Sequence, residues 1–249
     1  MGIDLAKMKA KREALENRGN GKSAFWRPED GEQTIRLVPT ADGDPFKEFW
    51  FHYNLGKNPG FLSPKKNFGE DDPLNDFIRQ LYKDGSEDSV KMAKNLNARQ
   101  RFFSPVIVRG EEDQGVRLWG YGKTAYKELL NLVLNPEYGD ITDVDDGTDL
   151  VINYGKPAGA QFPQTAITPR RKNTPLMASK EEINSMLESI PEYDQVFESA
   201  RKSPDEVQNM LDEFLLNEDD AEEVSSETTK YNNNETSAVD KAFEELLAS

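Results

Sequence analysis

The chain has 249 residues, no cysteine and one histidine, His52, a length that suits one ordinary domain with appendages or two small ones. The missing cysteines exclude a disulfide framework, a thiolate metal site and a cysteine nucleophile, and the lone histidine excludes a multi-histidine metal site and leaves a Ser-His-Asp triad only through His52. The formal net charge of −15 is unevenly placed, since residues 205–249 hold 14 Asp/Glu against two lysines and residues 1–23 hold six Lys/Arg against three Asp/Glu, so the total does not exclude a polyanionic partner.

Residues 1–23 (MGIDLAKMKAKREALENRGNGKS) read as a short basic helix, with Leu5, Met8, Arg12 and Leu15 near helical spacing and a Gly/Asn breaker after it. Such a helix docks on an anion or a neighbouring subunit, or stays a solvated, frayed end. It has no apolar signal core, and Ala6 stands where a myristoylation pattern needs Ser or Thr. No apolar run approaches the roughly 18 residues of a membrane span. The expected setting is therefore a reducing cytoplasm without membrane attachment. The GKS at Gly21–Ser23 is not a phosphate loop, because Glu16 stands where the first glycine belongs.

The body is expected from residue 24 to 204. Gln33–Val38 alternates and ends at Pro39, which predicts a strand, and the aromatic run Phe46–Tyr53 predicts a second. A proline-bearing excursion follows. Within it Leu74, Phe77, Ile78, Leu81 and Tyr82 form one helical face, and a further helix is expected over Glu87–Leu96. Phe102–Arg109 and Val116–Tyr121 predict a hairpin around GEEDQG. Tyr126, Leu129, Leu130, Val133 and Leu134 predict a helix stopped by Pro136, and Leu150–Tyr154 and Phe162–Thr168 predict two more strands. About six strands with helical excursions suit a small closed β-barrel better than a parallel α/β sheet.

After Pro169 the pattern turns helical, with stripes at Ile183, Met186, Leu187 and Ile190 and at Val207, Met210, Leu211, Phe214 and Leu215. Residues 218–237 have almost nothing to bury and are expected to be disordered. Val239, Ala242, Phe243, Leu246 and Leu247 close the chain at helical spacing. An amphipathic end on an acidic linker suits a hook for a partner protein, or a helix that folds back on its own core.

Lys91–Arg109 holds Lys91, Lys94, Arg99, Arg101 and Arg109 with no acid, and Phe102 and Phe103 sit beside the arginines. The next strand adds Arg117, Trp119 and Tyr121, on one face of a strand, and then Lys123. Cations interleaved with aromatics suit single-stranded nucleic acid: phosphates take Lys and Arg, and unpaired bases stack on flat apolar faces. One of Phe102 and Phe103 is expected to face the ligand and the other the core. Gly120 and Gly122 leave room for a ligand to approach the backbone. Arg170, Arg171 and Lys172 form a second acid-free cluster that would line the same groove or an exposed loop. Against these stands the ordinary role of strand aromatics, which is core. Asp143, Asp145, Asp146 and Asp149 form an acidic run without the spacing of a calcium loop, more in keeping with a solvated turn than a nuclease metal site.

The order of these motifs resembles the helix-destabilising single-stranded DNA-binding proteins of T4-like bacteriophages. The matching stretches are the basic arm, GEQTIRLVPT leading to an aromatic strand ending at His52, ARQRFFSPVIVR, GVRLWGYGKTAYKELLNLV, QTAITP, and an acidic tail with a hydrophobic terminus. The resemblance implies an α+β, mainly β chain: an OB-fold barrel with helical insertions, a basic arm over 1–23 and a disordered acidic tail over 205–249. It implies a DNA cleft lined by Arg99, Arg101, Phe102, Phe103, Trp119, Lys123 and Arg36. Lys9, Lys11 and Arg12 would mediate self-association along DNA. The tail, through Val239, Phe243, Leu246 and Leu247, would recruit phage replication and recombination proteins. The best-known members bind zinc through one His and three Cys. Here His52 matches, but Pro64, Asp72 and Asn75 stand in the region of the cysteines, so neither zinc nor another cofactor is expected. The helical excursion would then rest on Leu74, Phe77, Ile78 and Leu81.

The expected function is thus non-enzymatic: coating single-stranded DNA during phage replication, recombination and repair in the infected host's cytoplasm. The alternative is a non-catalytic scaffold that recruits partners through its acidic tail.

Overall fold

The computed structural model describes residues 23–222, the last six as backbone only. Lys9, Lys11 and Arg12 of the basic arm, residues 223–237 of the acidic stretch and the terminal Val239, Phe243, Leu246 and Leu247 lie outside the described residues.

The architecture is mixed α+β, mainly sheet. Eight strands run β1 (Phe25–Trp26), β2 (Gly31–Leu37), β3 (Lys47–His52), β4 (Phe61–Leu62), β5 (Arg99–Val108), β6 (Arg117–Tyr121), β7 (Gly147–Gly155) and β8 (Gln164–Thr174). The helices are α1 (Pro64–Phe68), α2 (Pro73–Asp84), α3 (Glu87–Leu96), α4 (Lys123–Val133), α5 (Lys180–Glu188), α6 (Tyr193–Val196) and α7 (Pro204–Glu222). The ladder follows β1-β6-β5-β2-β7-β8, with β3 on β5 and β4 on β3. Its hydrogen bonds describe an open path rather than the expected closed ring: among the described residues no ladder joins β8 back to β1.

The ten residues of β5 organise the sheet. Its first half pairs with β3 and its last three residues with β2, while β6 runs along the opposite edge. Its side chains alternate, and both faces are covered. Phe102, Val106 and Val108 enter one core with Ile35, Leu37, Trp119, Tyr121 and Leu150, plugged by Ala125 and Leu129 of α4. Phe103 enters another with Phe51, Tyr53 and Phe197, and Ile107 a third with Val38, Leu176 and Ile183. Each fully buried aromatic or branched side chain contributes about 1.5–3 kcal/mol.

The excursion folds as its caps dictate. Ser63 caps α1 with Pro64 at its first position, Asp72 caps α2 with Pro73 likewise, and Gly85 ends α2 at φ 74° before Ser86 caps α3. Only a left-handed residue can turn the chain that sharply, which is why glycine stands at 85. Leu74 and Ile78 are buried, with Phe77 and Leu81 packed beside them, against Leu96 of α3 and Val207 and Leu211 of α7. α7 is therefore packed onto the body by its first turns, although its sequence begins the acidic region. It runs through Glu222, so residues 218–222 are helical where disorder is expected from composition.

β8 also departs from the expectation of a helical turn after Pro169, since it continues to Thr174. Pro169 is tolerated because β8 is an outer strand of the path and needs no donor on its free side. Leu150 pairs with Pro169 and Thr148 with Asn173, so Asp149 alone stands opposite Arg170, Arg171 and Lys172. The basic triplet is a bulge.

Candidate nucleic-acid interface

Several expected contact residues are structural instead. Arg36 is fully buried. It lies in β2 between Ile35 and Leu37, so its side chain points away from theirs, and there it meets Asp149 of β7. Its Nε donates to Asp149 Oδ1 at 2.9 Å, its Nη2 to the Thr174 carbonyl and hydroxyl at 2.8 and 2.7 Å, and its Nη1 to the Asp143 carbonyl at 3.3 Å. Arg109 shares that carboxylate at 2.9 Å. Burial pushes the Arg36 guanidinium below its usual range, opposed by Asp149. This network sews β2, β5, β7 and β8 together and leaves Arg36 no access to a ligand. Gly147 is required beside it, because a Cβ there would lie 2.7 Å from Arg36 Nη1 and 2.4 Å from the Asp143 carbonyl oxygen.

The strand aromatics are packed in the core, at most 4% exposed for Phe102, Phe103, Trp119 and Tyr121, although Trp119 and Tyr121 also form part of the wall of the larger cleft described below. Phe102 and Phe103 do point oppositely, but a packed layer covers each side, so neither faces a ligand. Phe102 stacks on Tyr126 at 3.8 Å between centroids. Trp119 packs on Tyr121 and edge-on against Trp26 at 4.4 and 5.9 Å. The Tyr121 hydroxyl is bonded to Ser104 Oγ at 2.6 Å. Arg117 shares the face of Trp119 and Tyr121, yet it is held by Glu111 of the hairpin turn at 2.6 Å.

The remaining expected cations border two clefts at the start of β5. Arg99 and Arg101 lie two residues apart on that strand, about 7 Å along it. Arg101 lines a cleft of about 1010 Å³ between the β6–α4 corner and the β7–β8 hairpin, with Arg27, Tyr154, Lys156 and Gln164. Gly120, Gly122 and Gly155 also line it, so backbone is exposed there. Gly122 caps α4 without a side-chain bond, which turns the positive end of that helix toward the cleft, and exposed Lys123 is the first helical residue. The one carboxylate lining it, Glu128, accepts from the Ile167 backbone N–H at 3.1 Å.

Arg99 lines the second cleft, about 470 Å³, with Trp50, Lys66, Asn75, Lys94 and Asn97. No carboxylate lines it. Trp50 is half-buried, and Lys66 Nζ lies 5.2 Å from its ring centroid. The strand position of Trp50 is fixed by Asn67 of α1, whose Oδ1 accepts from the Trp50 N–H at 2.9 Å and whose Nδ2 donates to the Trp50 carbonyl at 2.7 Å. One amide side chain thus imitates a neighbouring strand.

The far wall of this cleft comes from the helical excursion, tied down by a polar knot. His52 Nδ1 lies 3.0 Å from the Leu96 carbonyl and Nε2 3.3 Å from Asp72 Oδ2, and Ser63 Oγ donates to Asp72 Oδ2 at 2.7 Å. Burial alone would raise the Asp72 carboxyl, but the bonds from His52, Ser63 and the Asn75 backbone outweigh it and hold it at about 2. Among the described residues no group of three or more His, Asp or Glu is placed to hold a metal. The acidic run is a turn only up to Asp146, where Asp143 Oδ1 accepts from the Asp145 and Asp146 N–H groups, and Asp149, on β7, is taken by the arginines.

Arg170, Arg171 and Lys172 are exposed on the β8 bulge, where Arg170 Nη2 donates to Thr34 Oγ1 at 3.0 Å. Sequence reasoning missed Trp50, Lys66, Arg27, Tyr154 and Lys156. Trp50 had a signal: between Phe49 and Phe51 it must point away from both, toward a face shared with Glu48. No helix of the described residues is long and apolar enough to cross a membrane. Neither a protein-family model nor a curated protein matches the chain.

Proposed function

We propose that the chain binds single-stranded nucleic acid, without catalysis, along a path that crosses the start of β5. The observation that carries this reading is the cleft, lined by no carboxylate, in which half-buried Trp50, its indole N–H held by Glu48 Oε1 at 2.6 Å, sits beside Lys66, Lys94 and Arg99. A base stacks on the indole and adjacent phosphates lie on the cations. The larger cleft continues the path with Arg101, Arg27 and Lys156, and the exposed face of β8 carries it on through Ala166 and Thr168 toward the basic bulge. The strand set is read as an OB-type barrel left open between β8 and the β1–β6 end of the path, with α4 bonded to the β8 side of the opening through Glu128 and Ile167.

Coating of displaced DNA in phage replication, recombination and repair extends this reading from the sequence resemblance. So do self-association through Lys9, Lys11 and Arg12 and partner recruitment through the hydrophobic terminus.

The test is tryptophan fluorescence during titration with oligo-dT at two salt concentrations. Trp26 and Trp119 are buried, but Trp119 borders the larger cleft, so quenching is read in a Trp119→Phe background, where it reports on Trp50 and a further Trp50→Phe abolishes it. Affinity falls steeply with salt as neutralised phosphates release counterions. Absence of binding at low salt overturns the reading and favours the scaffold.

A further inference from the structure

The small cleft carries more than charge and a stacking surface. Two side-chain amides, Asn75 at the start of α2 and Asn97 just after α3, line it together with Trp50. Electrostatic capture has no use for either. The Asn97 Nδ2 donates to the Tyr82 hydroxyl at 2.6 Å, which fixes the amide and leaves its Oδ1 as an acceptor. Asn75 is bonded to Asp72 through its backbone N–H, not its side chain. The backbone of Trp50 is clamped by Asn67, so the stacking platform and both amides are held by separate, rigid elements. A cleft of about 470 Å³ lies within the range of small-ligand pockets, which begins near 300 Å³, so it admits one nucleotide and excludes a duplex.

We propose that this cleft is a single-nucleotide subsite that reads the edge of the base stacked on Trp50. It favours a base bearing an exocyclic amino group, because the fixed Asn97 Oδ1 accepts from such a group. The larger cleft, whose carboxylate is tied to the backbone and whose cations meet phosphate, adds affinity without discrimination. Most of the interface then tolerates any sequence, and one position does not. The inference rests on the nucleic-acid reading above.

Cytosine and thymine are the informative pair. Both are pyrimidines of similar stacking area, and only cytosine carries the amino group. Short oligo-dC and oligo-dT are titrated against the full-length chain at one salt concentration, with tryptophan quenching as the readout. Oligo-dC is expected to bind roughly 5–10-fold tighter, the lower part of the discrimination one base-edge contact gives. The double variant Asn75→Ala, Asn97→Ala brings the two within about twofold while retaining quenching and salt dependence. Asn97→Gln, which keeps the amide but moves it, reduces the preference.

Equal affinities in the unmodified chain, tighter oligo-dT, or an unchanged preference in the double variant would each overturn the subsite while leaving the general reading intact. Failure of both oligomers to bind overturns both.

Discussion

Arginines flank both ends of β5, and their surroundings differ. Around the far end, Arg36 and Arg109 converge on the Asp149 carboxylate, within 2.9 Å of it, and together they lock four strands. At the near end, Arg99 and Arg101 border two clefts, the first lined by no carboxylate and the second by one already bonded to backbone. The side chains are chemically identical. What distinguishes the buried pair is one shared aspartate, more than a hundred positions away from Arg36. The aromatics differ too: Trp119 is packed between Trp26 and Tyr121 and only borders a cleft, while Trp50 stands half-buried with Lys66 beside its ring and Glu48 on its indole N–H.

The sharpest way to break the contrast is at the far end. Asp149→Ala leaves two arginines without their shared partner, and the uncompensated buried charge costs about 3–5 kcal/mol. A urea titration would show the loss as a fall in the midpoint. An unchanged midpoint would mean that the network is not what holds this end.

Next come the two tryptophans. Trp119→Ala opens a cavity and lowers stability by about 3–5 kcal/mol. Trp50→Ala changes stability by little more than about 1 kcal/mol but weakens oligonucleotide binding by about 1–3 kcal/mol. Thermal denaturation and binding measured on the same two variants decide the point. Equal effects on both quantities would erase the distinction between core and platform.

A pH titration probes the wall of the small cleft. The folded Asp72 carboxyl titrates near 2, against an ordinary value of 3.8. Its contribution is therefore complete above the ordinary value and is lost as the pH falls through the folded one. Denaturation midpoints of the unmodified chain should drop over that acid interval, and Asp72→Asn, already less stable at neutral pH, should drop less. Parallel curves would remove Asp72 from the account.

The smallest effect concerns the near-end arginines. Arg99→Ala and Arg101→Ala should each lower the slope of log affinity against log salt by about 0.7–0.9. Arg36→Ala, by contrast, should register in denaturation and leave the salt slope alone. If Arg36→Ala alters the slope instead, the buried assignment fails.

The fold was largely legible in the sequence where one face of an element is buried. The alternation of Gln33–Leu37 marks β2, and the spacing of Leu74, Phe77, Ile78 and Leu81 marks α2, because a single packed side imprints its period. β5 defeats that logic. With both faces covered its pattern is continuous, and adjacent Phe102 and Phe103 look like one core and one ligand residue when they are two cores. Arg36 misleads for a different reason: burial of a guanidinium depends on a partner supplied by tertiary structure, and no local pattern announces Asp149. Pro169 hides the full length of β8, because proline usually ends a strand, and only the outer position of β8 makes it harmless. The candidate site was legible as a region, through the acid-free stretch containing Arg99 and Arg101. Trp50, the residue proposed above to stack within it, lies on β3, which neighbours β5 in the sheet, hidden in FKEFWFHY.

The construction of β8 also bears on crowding. An outermost strand offers its unpaired N–H and C=O groups to any other chain, and a long, flat one is a template for aggregation. Here the Ile167 N–H is occupied by Glu128, Pro169 has none to offer, and the next three residues swing out as a bulge carrying three positive charges. A second copy laid against this edge finds an interrupted ladder and like charges facing it. Molecules packed side by side at high local concentration therefore stay separate folded units instead of merging their sheets.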